Sequence, residues 1–193
     1  NILVCGEPGT GKTVAVRVAQ RIITETLKEK EKQNIVFFYV NCRDKTATEI
    51  LGRLLNKDPS GSSENKLTQE LIERIHINNL NLILILDEID RAEKIGNLLY
   101  SLSRTKEVFP EFNGVVSTIL IANDNKWEED LDKPVRSSLQ LKTIIFCPYS
   151  ATKLENILQD RITIGFFSET NITKAKIHDI AKITIENKSS DAR

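Results

Sequence analysis

Net charge is what this sequence most plainly lacks. Its 27 Lys and Arg residues are balanced by 27 Asp and Glu, and the isoelectric point lies near 6.9. A strongly basic surface would advertise nucleic-acid binding, so its absence confines any such contact to a local patch or to residues outside this chain. Long apolar runs are also missing. The longest, Leu80 to Leu86, is broken by Asn81 and is far too short to span a bilayer. No basic-then-apolar leader opens the chain, and a cytoplasmic protein without membrane contact is the expectation. Cys5, Cys42 and Cys147 are odd in number and widely scattered. They match neither a zinc spacing nor a disulfide framework, and all three are expected as buried, reduced thiols. No methionine starts the chain, and Asn1 already stands at the edge of an apolar strand, as expected for a piece of a longer protein.

What is present is an ordinary balance of 40% apolar and 28% charged residues over 193 positions. That suffices for one domain with a full core and a small appendage. Short, β-branched, nearly uncharged segments alternate with amphipathic ones, which predicts a parallel sheet with crossover helices. The predicted strands are Ile2–Cys5, Ile35–Val40, Leu80–Leu86, Val115–Ala122 and Thr143–Cys147, each expected to be covered on both faces. Predicted helices run over Lys12–Lys30, Thr46–Asn56, Leu67–Asn78 and Lys94–Thr105, with a polar Pro- and Gly-containing loop at Asn56–Asn65. After Pro148 the alternation stops and the chain turns helical, over Ala151–Phe166 and Lys174–Asn187. The expected organisation is therefore a five-stranded α/β core over residues 1–148, followed by part of a small helical subdomain over 149–193.

The stretch "NILVCGEPGTGKTVAV" carries the most chemistry. Gly6, Gly11, Lys12 and Thr13 satisfy G-x-x-x-x-G-K-[ST], between an apolar strand and a helix. Glycines at 6, 9 and 11 let the backbone turn its N–H groups inward around phosphates. The helix that begins near Lys12 adds unpaired N–H groups and the positive end of its dipole. Lys12 is expected to bridge the β- and γ-phosphates of a nucleotide, and the Thr13 hydroxyl to ligate Mg²⁺. Pro8, Gly9, Thr10, Gly11, Lys12, Thr13 and Val14 are the expected contacts of ATP or ADP.

"LILILDEID" places Asp87 and Glu88 after a buried strand, at the end that faces a ligand crevice in a parallel sheet. Asp87 is the expected second holder of Mg²⁺, and Glu88 is suited to polarise an attacking water. Acidic residues are also favoured at a helix N-terminus, but metal holder and base are the two parts that a phosphate loop lacks. Asn123 ends the apolar strand of "STILIANDN". Its amide could read the γ-phosphate or the attacking water, and equally it could belong to a turn-forming Asn-Asp pair. His76 and His178 have no second ligand nearby in sequence and read as structural or surface residues. Trp127 reads as a packing anchor.

In this order and spacing, "GEPGTGKT", "LILILDEID" and "ILIAND" resemble an AAA+ ATPase core of the P-loop class. The phrases "FYVNCR", "LLYSLSR", "VRSSL", "IIFCPYSATKLENILQDR" and "SSDAR" are similar to the archaeal-type initiators of the origin recognition complex and cell-division-control family. The resemblance implies a helical lid after the core, with Tyr149 and Arg161 at the nucleotide. It also places Arg193 at the arginine of the family's "GDAR" motif, although Ser190 replaces the usual glycine. Relatives carry an arginine just before the Val of "VRSSL", where this chain has Pro134. Either Arg136 serves as the finger that completes a neighbour's site, or the finger is missing. The implied function is a slowly hydrolysing, nucleotide-controlled module in replication initiation, nucleoid-associated. Its implied partners are origin DNA (mainly through a winged-helix domain outside this chain), the replicative helicase, and further copies or related AAA+ subunits. Two alternatives stand beside it: a clamp-loader-like or DNA-remodelling ATPase, and a nucleotide-locked scaffold that never turns over.

Overall fold

Five strands form one sheet: β1 (Ile2–Gly6), β2 (Ile35–Asn41), β3 (Asn81–Asp87), β4 (Val116–Ala122) and β5 (Lys142–Phe146). All pairings are parallel, in the order β2-β3-β4-β1-β5. The computed structural model describes residues 1–29, 34–165 and 172–188. Its helices are α1 (Lys12–Glu29), α2 (Ala47–Leu55), α3 (Glu64–Ile77), α4 (Gly96–Ser103), α5 (Thr105–Val108), α6 (Lys133–Leu139), α7 (Ala151–Gly165) and α8 (Lys174–Lys188). The chain divides into two compact units, Asn1–Phe146 and Cys147–Arg193.

The period of two along each strand sorts the core of the first unit into two faces. Leu3, Leu84, Leu86 and Leu120 pack with Ile50 of α2, Leu71 of α3, Leu98 of α4 and Val135 of α6. Val4, Ile85 and Ile121 point the other way and meet Val16 of α1. Helices therefore cover both faces of the central strands, as the uncharged runs predict. The edge is different. Ile144 and Ile145 of β5 are 43% and 60% exposed, so the expectation of strands covered on both faces fails there. Among the described residues β5 pairs on one side only, with β1, and neighbours of this kind cannot be read from the strand's own residues.

Helix ends follow local capping chemistry. Thr46 and Glu49 form a reciprocal capping box at the start of α2. Ser63 caps α3, which begins at Glu64 and so takes up residues expected in the preceding loop. The helix α6 was not foreseen. Its seven residues offer only Val135 and Leu139 to the core, too few for a periodic pattern, and Pro134 lies in its first turn. A proline there is a helix starter, because its missing N–H has no intrahelical partner to lose. Trp127 is buried in the larger cluster, as expected of an anchor. Cys5 and Cys42 are buried free thiols, but Cys147 is exposed, which corrects the expectation for that residue. It directly follows the last core strand, outside the buried clusters of the first unit.

In the second unit α7 packs against α8, burying Ile177 and Ala181. The His178 ring meets the Glu155 carboxylate at 2.5 Å across the two helices. This is a structural pairing, as expected for that histidine. His76 packs its ring near that of Phe112 in the first unit.

Candidate nucleotide site

The turn from β1 into α1 is built on backbone conformations that side chains disfavour. Gly9 and Gly11 have φ of 79° and 87°, in the left-handed region open to glycine. Gly6 is constrained by proximity as well. It pairs in register with Phe146, and a Cβ there would lie 2.2 Å from the Phe146 carbonyl oxygen. Lys12 is 5% exposed and its Nζ donates to the carbonyls of Gly6 at 2.7 Å and Glu7 at 2.8 Å. The lysine thereby ties the loop together while one of its three N–H donors stays available. Burial pushes its ammonium below the usual lysine range, and the carboxylates of Asp90 and Asp87 oppose that shift. Thr10 is buried, its hydroxyl donating to the Glu7 carbonyl at 2.8 Å.

The parallel register brings the tip of β3 to the start of α1. Asp87, 3% exposed, accepts from the Thr13 hydroxyl at 2.9 Å and from the Tyr39 phenol at 2.6 Å, both on Oδ2. Its Oδ1 accepts from the Glu88 N–H at 2.9 Å. Burial first, and then the bond to Asp87, push the Tyr39 phenol above its ordinary range, which keeps it a donor. Glu88 has φ 53° and ψ 44°, an uncommon conformation for a residue with a side chain. The turn redirects the chain into a 3-10 turn at Ile89–Arg91. The Glu88 Oε2 lies 3.4 Å from the Asn41 amide nitrogen, and Asn41 is paired in register with Asp87.

Together these residues line a cleft of about 490 Å³: Pro8, Gly9, Gly11, Lys12, Thr13, Val14, Asp87, Glu88 and Asn123, joined by Arg43 and Arg91. Nearly all of the sequence-predicted core residues thus meet in one place. Arg136 does not line this cleft; it lies half-buried on α6. Tyr149 is half-buried and Arg161 exposed, both in the second unit. Arg193 lies outside the described residues. Sequence reading missed Tyr39, Asn41, Arg43 and Arg91. The first two sit on β2, and only its pairing with β3 brings them to Asp87 and Glu88.

A phosphate loop on a parallel sheet, with hydroxyl and carboxylate facing each other at its mouth, defines a P-loop nucleotide-binding protein. The family model of the AAA domain matches residues 1–128, and the chain belongs to that family, in its archaeal Orc1/Cdc6 AAA+ branch. An ORC1-type DNA replication protein of Archaeoglobus fulgidus is 31% identical over 100% of this chain and 48% of its own length. The Aeropyrum pernix ORC1 protein, solved in complex with DNA, superposes with a TM-score of 0.75 at 27% identity, covering 88% of this chain and 45% of that one. Cdc6p of Pyrobaculum aerophilum superposes with a TM-score of 0.76 over 94% of this chain and 48% of that one, at 24% identity, a likeness of fold. The chain spans about half the length of the curated relatives it matches, or less. Among the described residues, no helix is long and apolar enough to cross a membrane.

Proposed function

We propose that this chain binds ATP and ADP with Mg²⁺, hydrolyses ATP slowly, and serves as the nucleotide-controlled module of a DNA replication initiator. The observation that carries the reading is the meeting of Thr13 and Asp87 at the mouth of the glycine-turned loop. Their hydroxyl and carboxylate are hard oxygen donors without sulfur or imidazole, a set that suits Mg²⁺. Held by Thr13 and Asp87, Mg²⁺ would neutralise charge on the phosphates.

The chain's own residues account for the remaining chemistry. Lys12 offers its free N–H to a phosphate oxygen, and the backbone from Gly9 to Thr13 supplies further donors. Glu88 accepts the proton of a water that attacks the γ-phosphorus; the bond to the β-phosphate oxygen breaks, and ADP and phosphate leave. Asn123 lines the same cleft and is suited to hydrogen-bond the γ-phosphate. Arg136 is offered to a neighbouring subunit as a trans-acting cation. In that case the isolated chain, with its own Arg43 and Arg91 at the cleft but without the neighbour's arginine, turns over slowly.

The names of the relatives support replication initiation over a clamp-loader-like role. The partners of the whole protein, in this reading, are origin DNA, related AAA+ subunits and the replicative helicase, and the second unit serves as the lid. Calorimetric titration with ATP and ADP in Mg²⁺ tests the reading. Binding is expected, weakened at least about tenfold by Lys12→Ala, since a charge-assisted hydrogen bond is lost. Absence of binding, or a Lys12→Ala variant that binds as tightly, contradicts it.

A further inference from the structure

Asp87 is gripped from two elements at once. Thr13 approaches its Oδ2 from α1 at 2.9 Å, and Tyr39 approaches the same oxygen from β2 at 2.6 Å. Tyr39 pairs in register with Ile85, so it shares a face of the sheet with Ile85 and Asp87, and its ring runs along the strands toward the carboxylate. The ring is itself covered. The Arg17 guanidinium of α1 stacks over it at 3.4 Å from the centroid. A cation in that position holds an aromatic face by electrostatics as well as by contact. One turn of α1 therefore carries both Thr13, which touches Asp87 directly, and Arg17, which touches it through Tyr39.

We propose that Tyr39 is a positioning residue for the metal site, fixing the Asp87 carboxylate through its phenol and being fixed in turn by Arg17. This inference rests on the reading of Thr13 and Asp87 as the Mg²⁺ holders. A carboxylate with free rotation presents its lone pairs in many directions. One whose oxygen accepts a short bond from a braced phenol presents a single face to Thr13. Partners of this kind behind a metal ligand govern metal affinity, and their loss costs about 10–100-fold. Without Tyr39, Asp87 keeps the Thr13 hydroxyl and the Glu88 N–H, so the fold has no buried donor or acceptor left wholly unpaired on the carboxylate.

The test is a Mg²⁺ titration of the purified protein with a fluorescent ADP analogue, read as the metal concentration that gives half of the metal-dependent gain in affinity. Affinity in EDTA and thermal melting without metal are measured alongside. Tyr39→Phe keeps the ring for Arg17 and removes the hydroxyl alone. Its Mg²⁺ midpoint is expected to rise about tenfold or more, with affinity in EDTA preserved and melting lowered only as the loss of one hydrogen bond to a charged group requires. Arg17→Gln, which keeps the phenol, is expected to raise the midpoint by a smaller factor. A Tyr39→Phe midpoint that is unchanged or lowered overturns the inference while leaving the metal reading intact. An equal loss of affinity with and without metal also overturns it, because that pattern belongs to a general packing role. Wild-type protein whose nucleotide affinity ignores Mg²⁺ overturns the underlying reading and the inference with it.

Discussion

The Thr13 hydroxyl donates to Asp87 Oδ2 across 2.9 Å, joining positions 74 residues apart in the chain. One end lies at the start of α1 and the other at the tip of β3, so the bond spans the two motifs that the chemistry needs together. Replacing Thr13 by Val removes the donor with little change in shape. Hydrogen bonds to charged groups contribute about 1.5–3 kcal/mol, and a loss of about 1–2 kcal/mol in unfolding free energy is expected by urea denaturation in EDTA. The same variant is expected to lose the Mg²⁺ dependence of nucleotide binding, since one of the two proposed metal holders is gone.

Gly6 makes a separate prediction, about the fold beneath the site. Its Cβ would collide with the Phe146 carbonyl, a backbone atom that cannot swing aside, and its φ of 147° disfavours any side chain. Gly6→Ala is expected to destabilise the protein by about 3 kcal/mol, seen as a lowered urea midpoint. A midpoint equal to wild type would contradict the close pairing of β1 with β5.

The thiols divide by burial. Burial pushes Cys42 up to about 12 and raises Cys5 as well, whereas Cys147 is exposed. A thiol-reactive reagent near pH 8 is expected to label Cys147 quickly, and Cys5 and Cys42 only after denaturation. The same shift has a consequence for stability. A folded thiol that holds its proton above the unfolded value of 9.0 favours the folded state fully below that pH. Its contribution is then lost as pH rises from 9.0 toward about 12, because the unfolded chain releases the proton first. Cys42→Ala should therefore flatten the decline of stability across that alkaline window, measured by urea unfolding at several pH values.

The phosphate loop and the Asp87–Glu88 pair were readable from sequence because each is a contiguous motif, and contiguity is what local chemistry can see. Tyr39 and Asn41 were not. Nothing about "FYVN" marks a site until β2 is laid against β3 in register, which is a long-range fact. The strands were readable from their uncharged runs, but the exposed side chains of β5 reflect a place at the sheet's edge rather than any property of "KTIIF". Pro134 is instructive in another way. The family resemblance leads one to expect an arginine there; in the fold Pro134 opens α6, which a seven-residue stretch with two core contacts could not announce. Arg136 is accordingly placed by a helix rather than by a loose basic turn.

The central claim is that this cleft holds ATP and that Glu88 activates the water that cleaves it. Single-turnover hydrolysis by wild type and Glu88→Gln, each loaded with ATP and Mg²⁺, tests it most directly. The amide keeps the size of the side chain and can still meet Asn41, but it cannot accept the proton. Equal ATP binding with hydrolysis reduced by about 10²-fold or more is the expected result. Glu88→Gln protein that cleaves bound ATP at the wild-type rate would contradict the account.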